Sequence, residues 1–427
     1  MQLSKQSTAG GADEIPDGKT LAEKIEENAA EQAQQHTRRG VRRVINGTGI
    51  ILNSEFGRAC LSKTAAQALM ETVTDYSTIE YDVQKGTQGS RTGYIEGLLY
   101  AITGCEAALI VNNNAAAVLL ILATVAHGGE IIVSRGELVE VSGGFRIQDL
   151  ALQAGCRLSE VGATNNARLS DYADAIDANT RALLKVFSNN YRIVGYAQSV
   201  AIKELAELGS ALQIPSIVDL GGGALADLNR YGIVAEPSAA DCLKNGTDIV
   251  SFSGDKLMGG PQCGIILGRE RHLSAMRANP LYRALRADKM TITALEATLR
   301  VYADPIAAER EIPVLAMLAL SEDRLQSRAV ALCEDIKKRG GSAEVFYSRS
   351  TAGSEAVPGL ELDSRAISPV GALSAQEMER ALRLMPVPII GYIEKGRLLL
   401  DIRTIFEDDF EYVSDAVAKV SKLGAPL

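Results

Sequence analysis

The order of short apolar runs and helical stretches between residues 44 and 270 constrains this chain more than any other feature. Ala107-Ala108-Leu109-Ile110-Val111, Glu130-Ile131-Ile132-Val133-Ser134, Ala182-Leu183-Leu184-Lys185-Val186-Phe187, Ile214-Pro215-Ser216-Ile217-Val218-Asp219, Asp248-Ile249-Val250-Ser251-Phe252 and Cys263-Gly264-Ile265-Ile266-Leu267-Gly268 follow one another along it. Runs this short, apolar at successive positions, suit strands buried on both faces, and stretches such as 115–126 and 202–212 supply the covering helices. The pattern predicts an α/β fold with a large, mostly parallel sheet. Helical stretches 290–303 and 305–321 lead out of it. A smaller C-terminal α/β unit follows, marked by helices 322–339 and 374–384 and by strands 387–392 and 397–402. Glu394-Lys395-Gly396 between those strands reads as a hairpin turn. The expected division is a disordered tail and linker helix over 1–43, a large domain over 44–322 and a small C-terminal domain over 323–427.

Composition narrows the function classes. A net charge of −9 and the absence of tryptophan argue against a broadly basic, base-stacking nucleic-acid surface. A local basic patch remains at His36-Thr37-Arg38-Arg39-Gly40-Val41-Arg42-Arg43. The six cysteines form no CxxC pair or metal-ligand cluster, and residues 1–20 lack the apolar core of a secretory leader. No apolar run is long enough to span a bilayer. Free thiols in the cytoplasm are the expectation.

The segment richest in chemistry is Ser251-Phe252-Ser253-Gly254-Asp255-Lys256-Leu257-Met258-Gly259-Gly260-Pro261-Gln262-Cys263-Gly264. A strand delivers Lys256 into a glycine-rich turn, and a second strand follows at once. An amine held there can attack an aldehyde carbon, which is what pyridoxal phosphate (PLP) requires of its lysine. Ser253 is placed to bond a phosphate oxygen, and the glycines permit close backbone approach. Asp219 ends an apolar strand ahead of Gly221-Gly222-Gly223, where ligands bind in parallel sheets. A carboxylate at that point keeps a pyridine nitrogen protonated and the ring electron-accepting. Asp219 precedes Lys256 by 37 residues, the strand–Asp then strand–Lys order of aspartate-aminotransferase-type PLP folds.

Asn112-Asn113-Asn114-Ala115-Ala116-Ala117 lies between a strand and a helix. Helix N-terminal N–H groups there would cup the cofactor phosphate, with Asn113, Asn114 and Ala115 as its candidates. The asparagines equally suit simple N-caps. Arg91, and Arg283 with Arg286 at i, i+3 on one helix face, suit bidentate binding of an oxyanion. An ordinary solvated arginine face fits the same residues. Lys185 is a second lysine on a strand, but it has no glycine-rich neighbourhood. Glu137 and Glu140 follow a strand and fit either the site or a structural role. The three histidines fall in no motif, so proton transfer rests on Lys256, on carboxylates, or on substrate and cofactor groups.

Together these segments resemble the bacterial L-seryl-tRNA(Sec) selenium transferase (selenocysteine synthase) family. The motifs that carry the resemblance are Val44-Ile45-Asn46-Gly47-Thr48-Gly49, Gly57-Arg58-Ala59, Ile79-Glu80-Tyr81-Asp82, Gly144-Phe145-Arg146-Ile147, and the stretches 111–119, 133–140, 251–264 and 283–302. The resemblance implies a fold-type-I PLP enzyme that assembles from dimers into rings. It implies removal of water from a seryl group esterified to tRNA, then addition of selenium from selenophosphate to the resulting aminoacrylate. In that scheme Lys256 carries the cofactor and moves protons, and Asp219 supports the electron sink. Arg91, Arg283 and Arg286 hold the donor's oxyanion with Asp255 beside them. The family carries a longer N-terminal helical region implicated in tRNA contact. Gln88 stands where an arginine is expected, Phe187 where a histidine is common, and Thr92-Gly93-Tyr94 also differs. Two functions stay open: selenium transfer onto seryl-tRNA(Sec), or a PLP lyase acting without tRNA on a small anionic amino acid or amino sugar acid. A non-catalytic PLP-binding or assembly protein is a third class.

Overall fold

The computed structural model describes residues 39–141, 144–233, 237–353 and 356–423. It divides into two compact units, Met1–Val44 and Ile45–Leu427. The expected tail 1–18 and helix 19–38 lie outside the described residues.

Seven strands build the main sheet of the second unit: β1 (Ala107–Val111), β2 (Glu130–Ser134), β3 (Arg157–Val161), β4 (Thr180–Val186), β5 (Ser216–Asp219), β6 (Ile249–Ser253) and β7 (Gly264–Gly268). Their spatial order is β1-β7-β6-β5-β4-β2-β3. The paired neighbours among β6, β5, β4, β2 and β3 run parallel, while β7 runs antiparallel to both β6 and β1. The short turn from β6 to β7 explains this reversal, since a parallel return would need a crossover. The two faces are read directly from side-chain alternation. Leu109 and Val111 of β1 enter one core with Ile131, Leu184 and Ile266, while Ala108 and Ile110 enter the other with Val218, Phe252 and Ile265. Both faces are covered, which is why the strands other than the edge strand β3 lack polar alternation.

A second sheet contains β8 (Ala343–Thr351), β9 (Glu361–Pro369), β10 (Tyr392–Glu394) and β11 (Arg397–Asp401), ordered β8-β9-β11-β10. Lys395 and Gly396 both take positive φ (50° and 76°) between paired Glu394 and Arg397, the two-residue hairpin expected. The N-terminal segment also joins this layer. Ile45 and Asn46 pair in parallel with Ile389 and Ile390, and Ile50 bridges to Thr351. The expected helix 305–321 is two helices, Pro305–Glu311 and Pro313–Leu318. Pro313 lacks an N–H and its ring clashes with the preceding turn, so a new helix starts there.

Candidate active site

The C-terminal ends of β1, β4, β5 and β6 converge on a cavity of about 320 Å³. Asp219 is the last residue of β5, and Lys256 lies three residues beyond β6. The lysine loop is pinned by its own backbone: Gly254 N–H donates to Cys263 O at 2.9 Å, Gly260 N–H to Gly254 O at 2.8 Å, and Gly259 N–H to Lys256 O at 2.9 Å. Asp255 and Leu257 on either side are buried, leaving Lys256 half-buried at the cavity wall.

Asp219 is held from one side. Asn114 Nδ2 at 2.9 Å, the Gly221 N–H at 3.0 Å and Ser251 Oγ at 3.3 Å all donate to Oδ1. Burial pushes its carboxyl above the usual aspartate range, opposed by these bonds and by the charge of Lys256. Its other oxygen is left for a cationic N–H donor. Beside Asp219, α1 (Asn114–Val125) starts with Asn113 as N-cap, whose Oδ1 accepts from Ala116 N–H at 2.8 Å. Such a cap is worth about 1 kcal/mol. The chain reverses tightly here. A Cβ on Gly264 would meet Asn113 O at 2.2 Å, so only glycine lets β7 pass beneath the helix start.

Six of the expected residues line this cavity: Lys256, Asp219, Asn113, Asn114, Ala115 and Ser253. Two of them also bond carboxylates. Asn114 donates to Asp219, and Ser253 Oγ donates to Asp255 Oδ1 at 2.6 Å. Asp255 also meets Arg58, NH1 to Oδ2 at 3.3 Å. Arg58 lines the cavity and carries φ of 63°, a left-handed backbone that costs a non-glycine residue energy and recurs at functional sites. Arg58 lies in a turn about 200 positions before Asp255, and nothing in its local sequence signals that partnership. Phe187, Asn189 and Asn190 also line the cavity, whereas Gln88 sits exposed in the hairpin Tyr81–Asp82/Thr87–Gln88.

Arg91, Arg283 and Arg286 do not line the 320 Å³ cavity. They gather around Glu80. Arg91 Nε lies 2.8 Å and Arg286 NH1 3.4 Å from Glu80 Oε1. The bond from Arg91, then the charges of Arg91, Arg286 and Arg283, hold the Glu80 carboxyl below its usual range. The group abuts the sheet edge beside the start of α1, because Asn112 N–H donates to Leu285 O at 2.9 Å. Lys185 is buried against Glu137, outside the cavity, and the exposed Glu140 pairs with Arg146.

The donor set fits PLP. Besides the one-sided Asp219, the side-chain oxygens Oδ1 of Asn114 and Asn190, both on cavity residues, are buried without a partner and would accept from a ligand. A doubly covered sheet with an aspartate and a lysine at adjacent strand ends defines a fold-type-I PLP-dependent enzyme.

The chain belongs to the L-seryl-tRNA selenium transferase family: the model described as "SelA: L-seryl-tRNA selenium transferase" matches residues 44–406. It is 44% identical over 385 residues to the L-seryl-tRNA(Sec) selenium transferase of Geobacter sulfurreducens, covering 89% of this chain and 83% of that one. The enzyme of the same name from Alkaliphilus metalliredigens is 45% identical over 385 residues, with 90% and 82% covered. Among solved structures, D-glucosaminate-6-phosphate ammonia-lyase superposes with a TM-score of 0.61 at 20% identity, covering 91% of this chain and 98% of that one, a likeness of fold. No helix among the described residues is long and apolar enough to cross a membrane.

Proposed function

We propose that this chain converts seryl-tRNA(Sec) to selenocysteinyl-tRNA(Sec) in the cytoplasm, with selenophosphate as donor. One observation carries the reading: a Lys256–Asp219 cavity and a separate three-arginine group occur together in a chain 44% identical to an enzyme named for that reaction. When bound, PLP supplies an electron sink that lets the Cα–H and Cβ–O bonds of the seryl group break. Lys256 Nζ anchors the cofactor and then takes the Cα proton and returns it, so the hydroxyl leaves as water. Asp219, fixed through Oδ1, would hold the cofactor by its ring nitrogen. The N–H groups at Asn113–Ala115 receive the cofactor phosphate. Asp255, braced by Arg58 and Ser253, sets the lysine loop. Arg91, Arg283 and Arg286 would bind the donor's phosphate oxygens while selenium adds at Cβ and a proton returns to Cα; water then takes the phosphoryl group as the P–Se bond breaks, and phosphate leaves.

Residues 44–322 serve as the PLP-binding domain and 323–427 as the smaller one. The separation of the arginine group from the cavity supports a homodimer or ring in which copies complete each other's sites. The lyase alternative has only a likeness of fold behind it.

The test is incubation of the purified protein with PLP, selenophosphate and seryl-tRNA(Sec), followed by analysis of the esterified amino acid. Selenocysteine is expected. Unchanged serine, together with ammonia or pyruvate release from small anionic amino acids, would overturn the proposal in favour of the lyase.

A further inference from the structure

Lys185 and Glu137 form an ion pair in which both side chains are more than nine-tenths buried, exposed by 8% and 9%. Lys185 stands in β4, and Glu137 ends the short turn Arg135–Glu137 that follows β2. Lys185 Nζ lies 2.7 Å from Glu137 Oε1, and the other carboxylate oxygen accepts from Val186 N–H at 3.0 Å. Two more bonds run beside them: Tyr191 Oη donates to Gly136 O at 2.6 Å, and Asn190 Nδ2 to Glu140 O at 2.6 Å. All four join the same two segments, 136–140 after β2 and 185–191 at the end of β4 and beyond it, on neighbouring parallel strands.

Those segments form a wall of the Lys256 cavity, to which they contribute Val139, Val186, Phe187, Asn189 and Asn190. Lys185 Nζ lies 5.5 Å from the centroid of the Phe187 ring. Neither Lys185 nor Glu137 lines that cavity; both border a separate cleft of about 1090 Å³. A buried ion pair adds little net stability over an apolar pair of the same volume, because desolvation offsets the attraction. What it adds is direction: a carboxylate with two fixed donors sets the spacing of two backbones more narrowly than apolar packing does.

We propose that Glu137 and Lys185 are positioning residues for the cofactor: by locking the strand-end segments together they fix the wall that Phe187, Asn189 and Asn190 present to PLP. The proposal rests on the PLP reading of the Lys256 cavity. It is tested with E137L/K185M, which replaces the pair by apolar side chains, and with E137Q, which keeps the shape and removes the charge. The readouts are thermal unfolding of the apo-protein, the rate of PLP release and the visible circular dichroism of bound PLP, all without substrate. The double variant is expected to unfold near the wild-type temperature, to release PLP about tenfold faster, the equivalent of one lost hydrogen bond, and to show weakened dichroism. E137Q, which leaves Lys185 buried without its counter-charge, should release PLP at least as fast as the double variant and unfold at a lower temperature. Wild-type release and dichroism in a folded double variant would overturn the proposal and make the pair core filling. If the double variant fails to fold, wild-type release and dichroism in E137Q overturn it equally, and faster release in E137Q supports it. Failure of the wild-type protein itself to bind PLP would instead refute the cofactor reading.

Discussion

Asn114 Nδ2 sits 2.9 Å from Asp219 Oδ1, joining the first residue of α1 to the last residue of β5 across the floor of the cofactor cavity. With Ser251 and the Gly221 N–H it loads three donors onto one oxygen of the carboxylate. That arrangement fixes the plane of Asp219 and aims its second oxygen.

Asp219→Asn should keep the fold and lysine-bound PLP but lower kcat by about a hundredfold or more, since the ring nitrogen loses its anionic partner. Asn114→Ala should cost about tenfold by the loss of one bond to a charged group. Steady-state rates with the visible spectrum as a loading control check both; equal rates in Asp219→Asn and wild type would contradict the role.

Burial raises the Asp219 carboxyl above its unfolded value, so the folded apo-protein holds that proton more tightly than the unfolded chain does. Its contribution to stability is then full below the usual aspartate range and is lost as pH rises through the raised value. Apo Asp219→Asn should therefore unfold at a higher temperature than apo wild type at neutral pH, with the gap closing towards pH 4. Bound PLP should reverse the order at neutral pH, because its ring nitrogen supplies the missing opposite charge. Thermal unfolding of both proteins, with and without PLP, measures this.

Gly264→Ala would drive a Cβ into Asn113 O, 2.2 Å away, with backbone on both sides. Neither side can yield cheaply, so a loss of about 2 kcal/mol is expected, together with weaker PLP binding as the start of α1 shifts. Urea unfolding and PLP titration check the two effects.

Arg283→Ala should raise the KM for selenophosphate at least about tenfold while leaving PLP affinity unchanged, as the residue lies outside the cofactor cavity and would contribute a charge-assisted contact to an anion. The effect should shrink in high salt, because the side chain is exposed. An equal loss of PLP would make Arg283 structural.

Much of this was legible in the sequence. Lys256 and Asp219 were readable because each depends on local order: an apolar run, a polar residue at its end, then glycines. The parallel sheet brings such ends together whatever else the chain does. Side-chain partnerships were not readable in that way. Ser253 and Asn114 line the cavity as their positions predict, and each also bonds a carboxylate, Asp255 and Asp219, that position along the chain did not reveal. Arg58 reaches Asp255 from a distant turn in the segment whose Ile45 and Asn46 pair with Ile389 and Ile390. The arginines were readable as a group, but Glu80, which gathers them, comes from another part of the chain.

The most direct test of the Lys256 site is borohydride reduction of the PLP-loaded protein, followed by peptide mass spectrometry of wild type and Lys256→Ala. A pyridoxyl adduct on Lys256 in wild type, with no adduct and no visible absorbance band in the variant, is the expected result. An adduct on Lys185 or any other lysine in wild type, or a surviving band in Lys256→Ala, would contradict the assignment.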